Sequence, residues 1–229
     1  MKPFFKTLAI LLSLAFTVSA FTKDEKFEGT ITYSMTVEDL GGVPPEAANM
    51  LKDMQMIYHI KAEHFRMDSK TMMSNTSVIS DSKNQTAFTL MDMMGKKYLI
   101  KIKPEEIKKD ADAVTPKIKL LDGTKEIAGY ICKKAEITMN MPQSQGEVTT
   151  VVYYTDQIPN VNTYGAKFKG LDGFPLEYTV DTYGMKMKIT ATAVSKEKVE
   201  DAVFNVPDGY KETTLEQLQT EMKNSMSGK

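Results

Sequence analysis

The 229 residues carry 29 Lys and Arg against 30 Asp and Glu, with 41% hydrophobic and 26% charged residues, 13 Gly, 9 Pro, one Cys and no Trp. That balance is the balance of a globular domain and lies outside the ranges of disordered and collagen-like chains. With near-neutral charge there is no extended cationic surface to neutralise phosphates, which excludes nucleic acid as a partner.

Lys2 and Lys6 precede an apolar run, and Val18-Ser19-Ala20 offers small residues where a signal peptidase reads, so residues 1–20 are expected to be a signal peptide. The run from Leu8 to Phe21 is 14 residues long, short of the ~20 that span a bilayer as a helix. Residue 21 is Phe rather than Cys, which argues against lipidation. The expected mature chain is therefore 21–229, a single periplasmic or secreted domain with a net charge of −3 and no stable membrane insertion.

Strand signals dominate the expected mature chain. Phe27, Gly29, Ile31, Tyr33, Met35 and Val37 alternate with polar residues, the period-2 pattern of a sheet with one face on a core. Pro45 opens a predicted short helix to about Met54. A two-residue loop at Ala62-Glu63 would oppose Lys61 to His64, Ile60 to Phe65, Tyr58 to Met67 and Met56 to Ser69. One face then collects Met54, Met56, Tyr58, Ile60, Phe65 and Met67, and the other collects His59, Lys61, His64, Arg66 and Asp68, a segregation that a slip of one residue would destroy.

Further strands are predicted at Met72–Ser80, Gln85–Met91, Lys97–Lys103, Lys117–Leu121, Ala128–Met139, Val148–Thr155, Pro175–Thr182 and Met185–Val194. Pro104–Lys109 reads as a short helix with acids first and bases near its end. Leu215, Leu218 and Met222 mark a C-terminal amphipathic helix. Short polar turns between successive strands make neighbours antiparallel, so the class is mainly β with a few helices.

Two stretches carry a resemblance. Ile79–Phe88 followed by Lys97-Tyr98-Leu99-Ile100 resembles the central hairpins of the periplasmic lipoprotein carriers of the LolA/LolB type. Phe174–Tyr178, Met185-Lys186-Met187 and Phe204–Tyr210 resemble their closing strands and Pro-Gly end. Together with Lys125–Cys132, the mature chain is similar to an uncharacterised secreted Bacteroidota family of the domain-of-unknown-function type. The resemblance implies an open, strongly curved antiparallel sheet, a half-barrel of about eleven strands with short helices covering its concave face. In the carriers that concavity takes acyl chains.

Methionine is the unusual residue: 16 come after the signal peptide against 10 Leu, reversing the usual dominance of Leu. A flexible, polarisable thioether surface suits an irregular apolar ligand, and it equally suits a gap-filled core. The ligand-binding residues read from the pattern are Met54, Met56, Tyr58, Ile60, Phe65 and Met67. Thioethers also bind Cu(I), and Met91, Met93 and Met94, read as lying at a turn, are the alternative metal set.

His59 and His64 read as solvated residues on a polar face, and Cys132 as a buried small side chain whose neighbours Lys133 and Lys134 could otherwise lower its pKa. There is no nucleophile elbow, phosphate loop, His-Glu-x-x-His or paired-Cys motif, and no cofactor is implied. The expectation is an exported, non-enzymatic protein that carries a lipid-like or other apolar ligand in a Met-lined concavity. The alternatives are a Met-based Cu(I) protein and a structural or interaction domain of the cell envelope.

Overall fold

The structure, a computed structural model, describes residues 27–46, 54–72, 74–93, 95–113, 115–140, 146–161, 168–182 and 184–226. The signal-peptide reading and the body of the helix expected after Pro45 lie outside the described residues. Among those described, twelve strands form one sheet: β1 (Glu28–Asp39), β2 (Gln55–Lys61), β3 (His64–Lys70), β4 (Ser74–Asp81), β5 (Thr86–Met93), β6 (Lys96–Ile102), β7 (Lys117–Ile127), β8 (Tyr130–Asn140), β9 (Glu147–Thr155), β10 (Phe174–Thr182), β11 (Met185–Ser195) and β12 (Lys211–Thr213). Two α-helices accompany them, α1 (Pro104–Ala113) and α2 (Leu215–Met226), with a short 3-10 helix at Asp201–Phe204.

The strand order is β12-β6-β5-β4-β3-β2-β1-β11-β10-β9-β8-β7. Two up-and-down meanders, β1–β6 and β7–β11, are thus joined where β1 pairs antiparallel with β11. The β2–β3 register is the one expected, with Lys61 opposite His64, Ile60 opposite Phe65, Tyr58 opposite Met67 and Met56 opposite Ser69. Several strands differ from expectation at their ends, most clearly β8 and β7. Ala128 and Gly129 leave the sheet as a two-residue turn, both at positive φ (49° and 81°), the geometry a tight hairpin requires. β7 runs on to Ile127 across a register shift between Leu121 and Thr124.

The sheet curls and stays open. Tyr58 on β2 and Tyr178 on β10 are three strands apart in the order, about 14 Å in a flat sheet, yet their hydroxyls are 3.1 Å apart. The concave side is the core. Ile31, Tyr33, Ile60, Phe65, Cys132, Ile137, Val152, Leu176 and Ile189 are all buried there, and Tyr33 donates a 2.7 Å hydrogen bond from its hydroxyl to the Pro175 carbonyl. At the far edge, Lys125 of β7 reaches buried Glu177 of β10 at 2.7 and 2.8 Å, pinning the last strand.

Residues after β11 wrap the opposite edge. On the convex face Ile79, Leu90 and Leu99 form a second cluster, covered by Phe204, Val206 and Tyr210. The chain then pairs β12 parallel to β6 and turns as α2, whose Glu221 meets Tyr98 of the concave face and whose Leu218 is 2% exposed. Thr214 and Gln217 cap that helix reciprocally: the Gln217 N–H donates to Thr214 Oγ1 and the Thr214 N–H to Gln217 Oε1, each at 3.2 Å, a capping box. The other helix, α1, runs past Lys109 to Ala113 with no basic residue in its last turn. It links β6 to the edge strand β7 and is exposed along most of its described face.

Candidate functional site

Strand registers assign the concave face residue by residue. One row crosses β2 to β6 as Tyr58, Met67, Val78, Thr89 and Ile100; the next reads Met56, Ser69, Thr76, Met91 and Tyr98. Burial dips in the middle of these rows: Tyr58 and Met56 are core, Met67, Val78, Thr76, Thr89, Met91 and Ile100 are only partly buried, and Tyr98 at the β6 end is buried again. The concavity is therefore filled at its β1–β2 side, part-open over β3–β5 and Ile100, and closed at Tyr98.

The six residues selected from the sequence come together on this face. Met56, Tyr58, Ile60 and Phe65 are core, and Met54 and Met67 are half-buried against it. Sequence reasoning missed Met35, which shares that environment. Met91 and Met93 share a face because β5 continues through Met93 instead of turning at Met91; Met94 lies outside the described residues. Methionine also segregates along the strands. Met54, Met56, Met93, Met139 and Met185 each lie within two residues of a strand end on one rim, and Met72, 83% exposed, is in a turn of the same rim. The opposite rim's turns, at Ala62-Glu63, Ser82–Gln85 and Ala128-Gly129, contain no Met.

The polar groups of the core are held neutral. Burial pushes the Tyr33 and Tyr178 phenols well above their ordinary range and raises Tyr58 as well. Cys132 is fully buried, its S–H directed at the Tyr130 carbonyl. Burial and then the nearby Glu177 carboxylate push its thiol up to about 11. Lys133 does not activate it, being paired with Asp156 at 2.6 Å. The thiol is structural.

The histidines depart from the solvated reading. On the convex face His59 Nε2 is 3.4 Å from Asp68, and His64 Nδ1 is 3.7 Å from Asp81. Arg66 Nε donates to both Asp68 oxygens at 2.8 and 2.9 Å, and its Nη1 to the Val203 carbonyl at 2.8 Å, tying the C-terminal wrap to β3. Burial pushes the Asp68 carboxyl up, but hydrogen bonds from His59, Ser77 and Arg66 outweigh it and bring the pKa to about 2. Beside this network a pocket of about 390 Å³ lies between His64, Asp81, Phe88, Asp201 and Phe204. Its acids are engaged: Asp201 with Lys61 at 2.6 Å, and Asp81 with the Lys83 and Asn84 backbone. Among the described residues no three His, Cys, Asp or Glu side chains gather as a metal site.

At the β6 border of the part-open surface, buried Tyr98 donates from its hydroxyl to Glu221 Oε1 of α2 at 2.7 Å, and Lys96 Nζ lies 3.4 Å from the same oxygen. The Tyr98 hydrogen bond, chief among the causes, holds the Glu221 carboxyl below the usual carboxylate range. A polar clasp thus sits at the end of a thioether-lined apolar surface.

The family described as a domain of unknown function, DUF4412, matches residues 27–168, which span β1 through β9. No curated protein matches the chain. Among solved structures it is similar to a β-barrel-like protein of the domain of unknown function DUF1849 from Brucella abortus, with 9% identity, 76% of this chain and 99% of that chain covered, and a TM-score of 0.41.

Proposed function

The chain belongs to the DUF4412 family, and on that footing we propose that it is an exported, non-catalytic binding protein that carries a lipid-like or other apolar molecule on its Met-lined concave face. The observation that carries this reading is the incomplete burial of Met67, Val78, Met91 and Ile100 on a face whose β1–β2 side is core. Half-buried thioethers re-pack around an irregular apolar shape with little strain. The Lys2–Ala20 leader pattern supports export to the periplasm or beyond, and the likeness of Ile79–Ile100 to the hairpins of periplasmic lipoprotein carriers is in keeping with such cargo.

Native mass spectrometry of protein purified without detergent tests the proposal. An apolar mass should be retained, and Met67→Asp with Met91→Asp should release it. Met67→Leu with Met91→Leu should retain it, since volume-conserving swaps usually cost less than ~1.5 kcal/mol. Empty protein that also ignores added apolar probes would end the carrier reading. Cu(I) titration of wild type against Met91→Leu, Met93→Leu, Met94→Leu separates the competing class, because a Leu swap deletes a thioether ligand outright. Tight Cu(I) binding lost in that variant would replace lipid with metal.

A further inference from the structure

From the placement of α2 we infer that the cargo is a long-chain carboxylate, whose head group takes the place of the Glu221 carboxylate on Tyr98 and Lys96 while its chain displaces Leu218 from the concave face. The inference rests on the proposed carrier reading and deepens it. Register puts Tyr98 and Lys96 on the concave side, in the rows of Met91 and Met93. Onto that spot α2 brings one buried apolar side chain, Leu218, and one carboxylate, Glu221, three residues later. An apolar group joined to a carboxylate is the chemical outline of a fatty acid. The phenol donates to an anionic oxygen at 2.7 Å, the ammonium adds charge, and Lys211 lies opposite Tyr98 on the neighbouring strand.

The apolar stripe of the helix is only partly seated: Leu215 and Met222 are 56% and 45% exposed, whereas Leu218 is 2% exposed beside the Glu221 clasp. A ligand supplying the same two groups competes on equal chemical terms, and α2 leaves without uncovering an unpaired polar group on Tyr98. A neutral lipid with the same chain would fill the apolar surface but leave the clasp without its anion.

The test uses the full mature chain loaded with the neutral dye N-phenyl-1-naphthylamine, displaced by myristic acid or by 1-tetradecanol at pH 7.5. Wild type should release dye at a roughly tenfold lower concentration of acid than of alcohol, one charge-assisted hydrogen bond being worth about that factor. Tyr98→Phe should abolish the preference. Lys96→Gln, at an exposed site where folding is not at stake, should reduce it severalfold. Glu221→Gln weakens the competing helix and should lower the concentrations of acid and alcohol alike. Equal displacement by acid and alcohol in wild type would overturn the head-group assignment while the carrier reading stands. Displacement by neither would overturn both, and a Glu221→Gln variant identical to wild type would remove α2 as the competitor.

Discussion

At the residue scale, Asp68 shows how a single carboxylate can hold two layers together. It receives hydrogen bonds from Arg66 and Ser77 and sits against His59, and Arg66 in turn grips the Val203 carbonyl. Its folded pKa of about 2 lies below the ordinary 3.8, so its contribution to stability is present above pH ~4 and is lost as pH falls from there towards 2. Urea unfolding at pH 5 and pH 2.5 should show that loss in wild type, with a smaller loss in Asp68→Asn. At pH 5 the substitution itself should cost ~1–3 kcal/mol, the range for leaving buried hydrogen-bond partners unmatched. An unchanged pH response in the variant would assign the acid sensitivity elsewhere. The two histidine partners differ in legibility: Asp68 falls on the polar face that the Ala62-Glu63 register already shares with His59, whereas Asp81, seventeen residues from His64, is brought opposite it only by the β3–β4 register.

At the element scale, Gly29 marks the place where β1 passes under the end of β11. A Cβ there would lie 2.1 Å from the Ser195 carbonyl oxygen, so Gly29→Ala forces the two strands apart. We expect a loss of ~1–3 kcal/mol, the cost of overpacking, read as a lower denaturation midpoint with an unchanged slope; wild-type stability would refute the close approach. The strands themselves were legible because period-2 alternation survives wherever one face is core, and the Ala62-Glu63 hairpin could be registered from the segregation of Met56, Tyr58 and Ile60 from His59 and Lys61. β12 was not legible. It is three residues, Lys211–Thr213, paired in parallel with a strand more than a hundred residues earlier, and no local pattern announces such a partner. The site was legible in kind but not in position. Sequence shows that the Tyr58 face is apolar, whereas how far each row is covered depends on α2, whose contacts at Tyr98 and Lys96 are set by tertiary structure.

At the scale of the whole molecule, the sheet is a frame and the C-terminal wrap is its cover. Removing residues 214–229 should leave the far-ultraviolet circular dichroism of the sheet in place while increasing binding of an environment-sensitive apolar dye, because Leu218 no longer covers part of the concave face. Cooperative loss of the β signal would show instead that α2 is integral to the frame. The joining of two meanders through β1 and β11 has a further consequence, in time. Each meander closes through neighbouring strands, but the contact from Thr30 to Ser195 spans most of the chain and carries the high contact order that slows folding. A chain emerging N-terminus first at ~5–20 residues per second exposes β1 as a bare edge for roughly 8–30 s before β11 arrives. Over that interval Glu28, Glu38 and Asp39, which bracket the strand, present negative charge to any other strand that approaches, and the slowest contact of the fold is also the one with acidic guards at both ends.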